Sequence, residues 1–218
     1  MSADRPFIPA LRFHWLTSIY DPVVRLTTRE ATFKDCLLRQ AALRPGEAVL
    51  DVGCGTGTLA ITALAHEPGA SVTGLDADDR ILTIARCKAA QAGVAIRFEH
   101  ALADRMPFSD ARFDVVLSSL FFHHLESGTK RATLQEIVRV LKPGGRLSVA
   151  DWGAPQNVLM RAAFQSIRLL DGYATTADSI AGRLPQMMTE AGFQAVENTC
   201  NFATVFGTLA LYQARKAP

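Results

Sequence analysis

Three glycines at alternate positions, set between an apolar run and an alanine-rich run, most constrain the fold of this chain of 218 residues. The apolar run Val49–Val52 contains the acid Asp51 and predicts a short buried strand. The glycines that follow are Gly53, Gly55 and Gly57. Glycine adopts positive φ freely and lets a ligand approach the main chain, so the spacing predicts a tight turn. Leu59–Ala65 then predicts a helix whose first N–H groups point at that ligand, as in a loop that binds a nucleotide cofactor.

The spacing separates the candidate nucleotides. A dinucleotide fingerprint, G-x-G-x-x-G, needs glycine at the position of Thr58, and no P-loop pattern occurs. A second predicted strand, Val72–Asp76, ends in an acid about one βαβ step later, where a carboxylate can accept both hydroxyls of a ribose. The alternative for Asp76 is a helix cap, but Asp78 and Asp79 are better placed to cap the helix predicted from residue 80 to 92.

Five segments in this order resemble the motifs of the class I S-adenosylmethionine-dependent methyltransferases. They cover residues 45–152 and comprise D-x-G-x-G-x-G at Asp51–Gly57, the acid Asp76, Met106–Val116, Ser118–Leu125 and the LKPGG turn at Leu141–Gly145. The flanks, residues 13–21 and 190–193, are similar to the branch that includes ubiquinone/menaquinone C-methyltransferases. The resemblance implies an enzyme that transfers a methyl group from S-adenosylmethionine and releases S-adenosylhomocysteine.

Helices are predicted at 28–42, with Phe33, Leu37, Leu38 and Ala41 on one face, and at 130–141, and strands at 95–99, 146–150, 196–202 and 208–214. The predicted strands and helices alternate, which indicates an α/β fold with a mostly parallel sheet and helices on both faces. By resemblance this is the three-layer Rossmann-like methyltransferase fold, seven-stranded, with strand order 3-2-1-4-5-7-6. We expect a single domain with an N-terminal helical cap (1–44), a cofactor-binding core (45–152), a substrate-side insertion (153–180) and a C-terminal helix with an antiparallel strand pair (181–218). Within the insertion and after it, the pattern predicts a helix near 159–170, a polar loop at 171–178 and a helix at 180–190.

The resemblance also assigns the cofactor-binding residues. The glycine loop and Asp51 are expected at the methionine end, Asp76 at the ribose, and Leu102 and Ala103 at the adenine. The full expected set is Tyr20, Asp51, Gly53, Cys54, Gly55, Gly57, Asp76, Ala77, Leu102, Ala103 and Ser119. Ser119 follows strand four and is expected near the sulfonium, whereas Tyr20 either closes over the cofactor or is a core aromatic.

One position departs from the family pattern. The family often carries an acid before a small residue at the adenine, and here Leu102 occupies the position of that acid. A leucine side chain accepts no hydrogen bond, although the N–H of Ala103 can still donate to an adenine ring nitrogen. Asp104, two residues on, is the alternative acceptor for the adenine amino group.

Two adjacent histidines are the candidate general bases, His123 and His124. A neutral imidazole takes a proton near pH 7, which a hydroxyl or a carbon-acid acceptor requires and a stronger nucleophile does not. The alternatives are that these histidines cap the next helix or pack beneath a lid. Asp151, at the end of strand five, is either a polar group of the pocket or an acid that binds backbone amides.

Composition limits the partners. Apolar residues make up 49% of the chain and its formal net charge is +2, which argues for a folded protein without a nucleic-acid surface. Four cysteines without paired spacing predict free thiols in the cytoplasm. No apolar run is long enough to span a membrane, which leaves a peripheral contact with a membrane open, and no metal site is evident.

We expect a small-molecule acceptor, with quinones and lipids as candidates. The alternatives are a cofactor-binding regulatory protein and a nicotinamide oxidoreductase.

Overall fold

The computed structural model describes residues 30–218. Seven strands and seven α-helices follow one another in these residues, with a 3₁₀ turn at Phe122–His124 after the fourth strand. In chain order they are α1 (Glu30–Ala41), β1 (Ala48–Val52), α2 (Thr58–His66), β2 (Ser71–Asp76), α3 (Asp79–Gln91), β3 (Arg97–His100), β4 (Phe113–Ser119), α4 (Ser127–Val140), β5 (Leu141–Trp152), α5 (Val158–Asp171), α6 (Tyr173–Ile180), α7 (Leu184–Glu190), β6 (Phe193–Thr204) and β7 (Gly207–Lys216).

The strands form one sheet with the order β3-β2-β1-β4-β5-β7-β6, which confirms the predicted topology. The first five strands are parallel, and β7 pairs antiparallel with both β5 and β6. The central strands carry consecutive apolar residues because helices cover both faces of the sheet. Val49 and Leu50 are both fully buried, one in each of the two apolar clusters on opposite faces. The carboxyl ends of the parallel strands therefore share one edge of a rigid sheet.

Several predicted bounds needed correction. The predicted face of α1 is confirmed, because Phe33, Leu37, Leu38 and Ala41 are buried. The helix predicted from residue 130 to 141 begins earlier, at Ser127, and its last residue is Val140. Strand β3 begins at Arg97, two residues later than predicted. The last three strands are longer than predicted, because the antiparallel pairing continues to Trp152 in β5 and to Phe193 and Thr204 at the two ends of β6.

The largest error concerns residues 171–190. A polar loop was predicted at 171–178, but α6 spans Tyr173–Ile180. Its polar residues are buried because each has a partner: the hydroxyls of Thr175 and Thr176 both donate to the carbonyl of Gly172. The helix predicted at 180–190 is divided, because Gly182 adopts a φ of 63° and α7 begins only at residue 184.

A buried ion pair fixes α6 against α4. Lys130 Nζ lies 3.0 Å from Asp178 Oδ2 and donates to the carbonyl of Thr175 at 2.6 Å, while the Ser127 hydroxyl donates to the same carboxylate at 2.6 Å. The side chains of Lys130 and Asp178 are 2% and 5% exposed. The insertion is therefore attached to the core by a desolvated charge pair, which sequence patterning did not indicate.

Replacing Lys130 by methionine is expected to destabilise the fold by about 3 kcal/mol, because it leaves Asp178 buried without its main counter-charge. The double variant Lys130→Met/Asp178→Leu should recover most of that loss. Urea unfolding measures both, with Arg131→Met as control, because Arg131 pairs with Glu190 at the surface and should cost less than about 1 kcal/mol. A single variant as stable as the parent would show that the pair contributes nothing.

Candidate active site

The candidate site lies where the carboxyl ends of the parallel strands meet. The strand order reverses between β1 and β4, and ligands of open α/β sheets bind at such a switch point. Four segments converge there: the glycine loop after β1, Asp76 at the end of β2, the loop that contains Leu102 and Ala103 after β3, and the turn Phe122–His124 after β4. Separate motifs of the sequence thus come together in one place.

The glycine loop has the predicted backbone conformation. Gly53, Gly55 and Gly57 have φ values of 69°, 51° and 77°. A Cβ on Gly53 would lie 2.2 Å from Cδ2 of Phe121, so this glycine lets the turn after β4 close against the loop. A Cβ on Gly55 would meet nothing within 4 Å, so glycine is needed there for its φ and leaves the main chain open to a ligand.

Asp51 is a buried carboxyl with one oxygen unused. Its side chain is 1% exposed, and Oδ2 has no hydrogen-bond partner. Burial raises the pKa of Asp51 to about 7; the charge of Lys34 lowers it and that of Asp76 raises it. A buried carboxyl oxygen without a hydrogen-bond partner beside the glycine loop is able to accept a hydrogen bond from a cation.

Lys34 and Glu30 at the start of α1 are the charged neighbours that sequence reasoning missed. Their side chains form an ion pair and are 11% and 12% exposed. Lys34 is close enough to influence the pKa of Asp51, so the methionine end of the predicted site is bordered by both signs of charge. The only signal in the sequence was that Lys34 directly follows the buried Phe33.

Asp76 joins the second strand to the glycine loop. Its Oδ2 accepts the N–H of Gly55 at 2.9 Å, and its Oδ1 accepts the N–H of Asp78 at 3.0 Å. Burial raises the pKa of Asp76, and these two N–H groups oppose that rise. The helix cap is instead Asp78, which accepts the N–H of Arg80 at 2.9 Å, as the sequence indicated.

A cavity of about 340 Å³ extends from Asp76 along the loops after β3 and β4. Its wall is largely apolar, with Asp104 and Glu126 as further acids. The lining residues are Leu75, Asp76, Ala77, Ala101, Leu102, Ala103, Asp104, Phe121, His124, Leu125, Glu126, Thr129 and Thr175. Four of the predicted cofactor residues, Asp76, Ala77, Leu102 and Ala103, line it, and Leu102 is 50% exposed at the wall.

The remaining predicted residues have different positions. Ser119 ends β4 beside Ala150 of β5 and is half-buried. Cys54 is buried, and its Sγ lies against Gly74, where a Cβ would be 2.9 Å from the sulfur; the thiol therefore packs beneath the loop. Leu120 adopts a left-handed φ of 54°, a strained conformation that aims the turn after β4 and that the sequence did not reveal. Tyr20 lies outside the described residues.

His123 and Asp151 form a buried pair at the end of β5. His123 Nδ1 lies 2.7 Å from Asp151 Oδ1, with side chains 2% and 1% exposed. The carboxylate also accepts the N–H groups of Phe121, His123 and Trp152 at 3.1, 3.3 and 2.7 Å. Burial alone would raise the pKa of Asp151, but the charge and hydrogen bond of His123, with the Trp152 N–H, lower it below its usual value. Of the two predicted alternatives for Asp151, the structure shows the acid that binds backbone amides, and its pairing with His123 was not predicted.

His124 is the histidine that lines the cavity. Its ring centroid lies 4.0 Å from that of His123, with the planes tilted by 41°. Burial lowers the pKa of His124 well below its usual value, and the neighbouring His123 lowers it further. His124 is therefore a neutral ring at pH 7, and a positive charge on the two histidines together is disfavoured.

These residues fit S-adenosylmethionine. Asp76 sits where a ribose can be held, the unused oxygen of Asp51 suits an ammonium group, and Gly55 leaves the main chain accessible. Among residues 30–218, no three His, Cys, Asp or Glu side chains are arranged to hold a metal ion. In the same residues no helix is both long and apolar enough to cross a bilayer.

Comparison with known proteins agrees with this geometry. The family described as "Methyltransferase domain" matches residues 49–145. The ubiquinone/menaquinone biosynthesis C-methyltransferase UbiE of Shewanella pealeana is 32% identical over 189 residues, which is 77% of this chain and 74% of that protein. The chain belongs to the class I S-adenosylmethionine-dependent methyltransferases, in the UbiE-like branch. The methyltransferase uses S-adenosylmethionine as its cofactor and transfers the methyl group to a small-molecule acceptor.

Further relatives show how widely the fold is shared. An uncharacterized methyltransferase of Synechocystis is 31% identical over 90% of this chain and 91% of its own length. The YcgJ protein from Bacillus subtilis superposes with a TM-score of 0.67 at 21% identity, covering 85% of the methyltransferase and 98% of YcgJ. A Haemonchus contortus phosphoethanolamine N-methyltransferase, solved with S-adenosylhomocysteine, superposes with a TM-score of 0.69 at 18% identity, covering 86% and 53% of the two chains. At these identities the structures establish the fold alone.

Proposed function

We propose that the acceptor is an apolar small molecule of the quinol type, methylated at a carbon or hydroxyl that must lose a proton. The turn after β4 contributes Phe121 and Leu125 to the same cavity whose Asp76 and Ala103 side we assign to the cofactor, and these two apolar side chains support such an acceptor. The name of the Shewanella relative, a quinone-biosynthesis C-methyltransferase, points to the same class. S-adenosylmethionine supplies an electrophilic methyl group on a sulfonium, and the protein must align and deprotonate the acceptor.

The observation that carries this proposal is the buried pair of His123 and Asp151. An ionised carboxylate only accepts hydrogen bonds, so the proton between the two residues belongs to His123 Nδ1. We propose that Nε2 of His123 accepts the proton when the ring is neutral, as in other histidines oriented by a carboxylate. His123 is itself buried, and its ring lies against that of His124, which lines the cavity. Asp151 stabilises the imidazolium that forms, and His124 stays neutral beside it. A base of this kind is needed for a weakly acidic acceptor and not for an amine already carrying a lone pair.

For the cofactor we propose contacts with the ribose, the methionine ammonium, the adenine and the sulfonium. Asp76 accepts from the ribose hydroxyls, and the free oxygen of Asp51 accepts from the methionine ammonium. The N–H of Ala103 and the carboxylate of Asp104 meet the adenine edge, because Leu102 cannot accept a hydrogen bond. Support for Asp104 is that it lines the cavity and has no hydrogen-bond or ion-pair partner among residues 30–218. We propose that Ser119, at the end of β4, lies near the sulfonium.

The affinity for S-adenosylhomocysteine is expected to rise about tenfold between pH 6 and pH 8, because only ionised Asp51 attracts an ammonium and its pKa is about 7. Below pH 7, binding must first displace the proton of Asp51; above it, the affinity levels off. Calorimetric titration over this range measures the effect, together with the protons released. Asp51→Asn should bind more weakly and without this dependence. A flat profile for the parent protein would contradict the ammonium assignment.

We also propose that the chain is a single methyltransferase domain in which residues 153–180 form the substrate-side insertion. Thr175 of α6, which lines the cavity, supports that role for the insertion. A cytoplasmic location is proposed as well, on the grounds that Cys36, Cys54, Cys87 and Cys200 are free thiols.

The acceptor class is tested by methyl transfer to defined compounds. A quinol with a short alkyl chain is compared with the same ring without the chain and with phosphoethanolamine, a polar amine. We expect the highest kcat/KM for the alkylated quinol and the lowest for the amine. The reverse order would overturn the proposal, and binding of the cofactor without any transfer would favour the regulatory alternative.

A further inference from the structure

Helix α5 is apolar on two opposite faces. On its inner face Phe164 and Ile167 are 1% and 9% exposed, and the ring of Phe164 packs edge-on against Trp152 with centroids 5.7 Å apart. On its outer face Val158 and Leu169 are 82% and 73% exposed. A surface helix normally has one apolar face, which packs on the core, whereas α5 also exposes apolar side chains on the opposite side.

The exposed apolar residues of α5 lie on the same side of the helix. Val158, Ala162 and Leu169 are spaced i, i+4 and i+11, which places them within about 40° of one another around the helix. Leu159 lies beside them and is 81% exposed. We call Val158, Leu159, Ala162 and Leu169 the outer face of α5. An exposed apolar face of this kind marks an interaction surface.

Neighbouring segments extend the exposed apolar surface. Tyr173 follows α5 and is 53% exposed, with the Arg168 guanidinium stacked on its ring at 4.3 Å. Val205, in the turn between β6 and β7, is 65% exposed, and this turn adjoins α5 because Thr208 Oγ1 lies 3.3 Å from Met160 Sδ. Of the seven large hydrophobic residues that are exposed among residues 30–218, five lie in this region.

The two arginines of α5, beside its outer face, favour an anionic partner. Helix α5 contains two arginines, Arg161 and Arg168, and one acid, its last residue Asp171. Apolar side chains with arginines alongside suit an anionic lipid surface, in which the apolar residues enter the acyl boundary and the arginines meet headgroup phosphates. A second copy of the chain fits less well, because a face of four side chains is far smaller than the roughly 800 Å² per partner of a stable interface.

We propose that the outer face of α5 docks on a bilayer that contains anionic phospholipid. We base this proposal on the exposed residues of α5, so it does not depend on which molecule is methylated. It has a consequence for the site, because α6 follows α5 after one residue, Gly172, and carries Thr175, which lines the cavity. Docking by α5 therefore holds the cavity close to the membrane, from which an apolar acceptor can enter.

Co-sedimentation of the full chain with vesicles tests the proposal. We expect binding to phosphatidylglycerol/phosphatidylcholine vesicles and at least tenfold weaker binding to vesicles of phosphatidylcholine alone. The triple variant Val158→Ser/Leu159→Ser/Leu169→Ser should lose at least tenfold in binding to the anionic vesicles, and Arg161→Glu should lose severalfold. Ile84→Ser is the matched control, because Ile84 is an exposed apolar residue of α3, outside this region, and its replacement should change nothing.

The outcomes separate membrane docking from catalysis. The triple variant should keep the affinity of the parent protein for S-adenosylhomocysteine, which shows that its fold and cofactor site are intact whether or not the acceptor assignment is right. A parent protein that binds neither vesicle would overturn the proposal, as would a triple variant that binds like the parent. Light scattering identifies the remaining alternative: dimers that the triple variant abolishes would make the outer face an interface between two copies.

Discussion

Replacing Asp76 by alanine should weaken the binding of S-adenosylhomocysteine at least tenfold. The carboxylate accepts the N–H groups of Gly55 and Asp78, so it holds the glycine loop, and Asp76 also lines the cavity. Each hydrogen bond to a charged group contributes about 1.5–3 kcal/mol, and tenfold in affinity corresponds to only about 1.4 kcal/mol. The loss of the ribose contacts alone accounts for that change, and loosening of the glycine loop adds to it.

Calorimetric titration of the variant measures this loss. Asp79→Asn is the matched control, because Asp79 is an exposed acid three residues away that pairs with Arg86 at the surface. Thermal unfolding without ligand shows whether the loop itself has been destabilised. An unchanged dissociation constant for Asp76→Ala would refute the ribose assignment.

Replacing Asp151 by asparagine should lower kcat by about 10²–10⁴ while leaving the affinity for S-adenosylhomocysteine nearly unchanged. The substitution keeps the size of the side chain and an oxygen that can accept from the backbone. It removes the negative charge that keeps a proton on His123 Nδ1, so the imidazole can adopt the other tautomer, which carries its proton on Nε2. In that tautomer Nε2 cannot take a proton from the molecule that is to be methylated.

The pH dependence distinguishes a base from a purely structural role. If His123 removes a proton, the defect of Asp151→Asn should shrink at high pH, where the acceptor ionises without help. A variant that only disorders the turn Phe122–His124 would be defective at every pH and would also bind S-adenosylhomocysteine more weakly. Alanine variants of His123 and His124 with normal turnover on the true acceptor would end the base hypothesis.

The parts of the structure that depend on local patterns were predictable from the sequence. The left-handed glycines and the capping of α3 by Asp78 follow from short motifs whose meaning depends on adjacent residues. The strand order was implied by the resemblance to the methyltransferase family and is confirmed. The fully buried strands were recognisable because both faces of the sheet are covered, which demands unbroken apolar runs.

What could not be predicted depends on contacts between distant segments. Helix α6 looked like a loop because the lysine that pairs with its buried Asp178 lies 48 positions earlier in the chain. The pairing of Asp151 with His123 spans 28 positions, and the influence of Lys34 on Asp51 crosses from α1 to β1. Such pairs become visible only when the sheet brings the strand ends together.

Labelled methyl groups from S-adenosylmethionine can be followed into a fractionated extract of the source cells, with Asp76→Ala as the control enzyme. We expect label in the organic phase, in a compound that the control enzyme does not label. Label confined to a polar, water-soluble metabolite would contradict the apolar acceptor. No label above the control, despite confirmed cofactor binding, would contradict methyl transfer to any acceptor in that extract and favour a regulatory role.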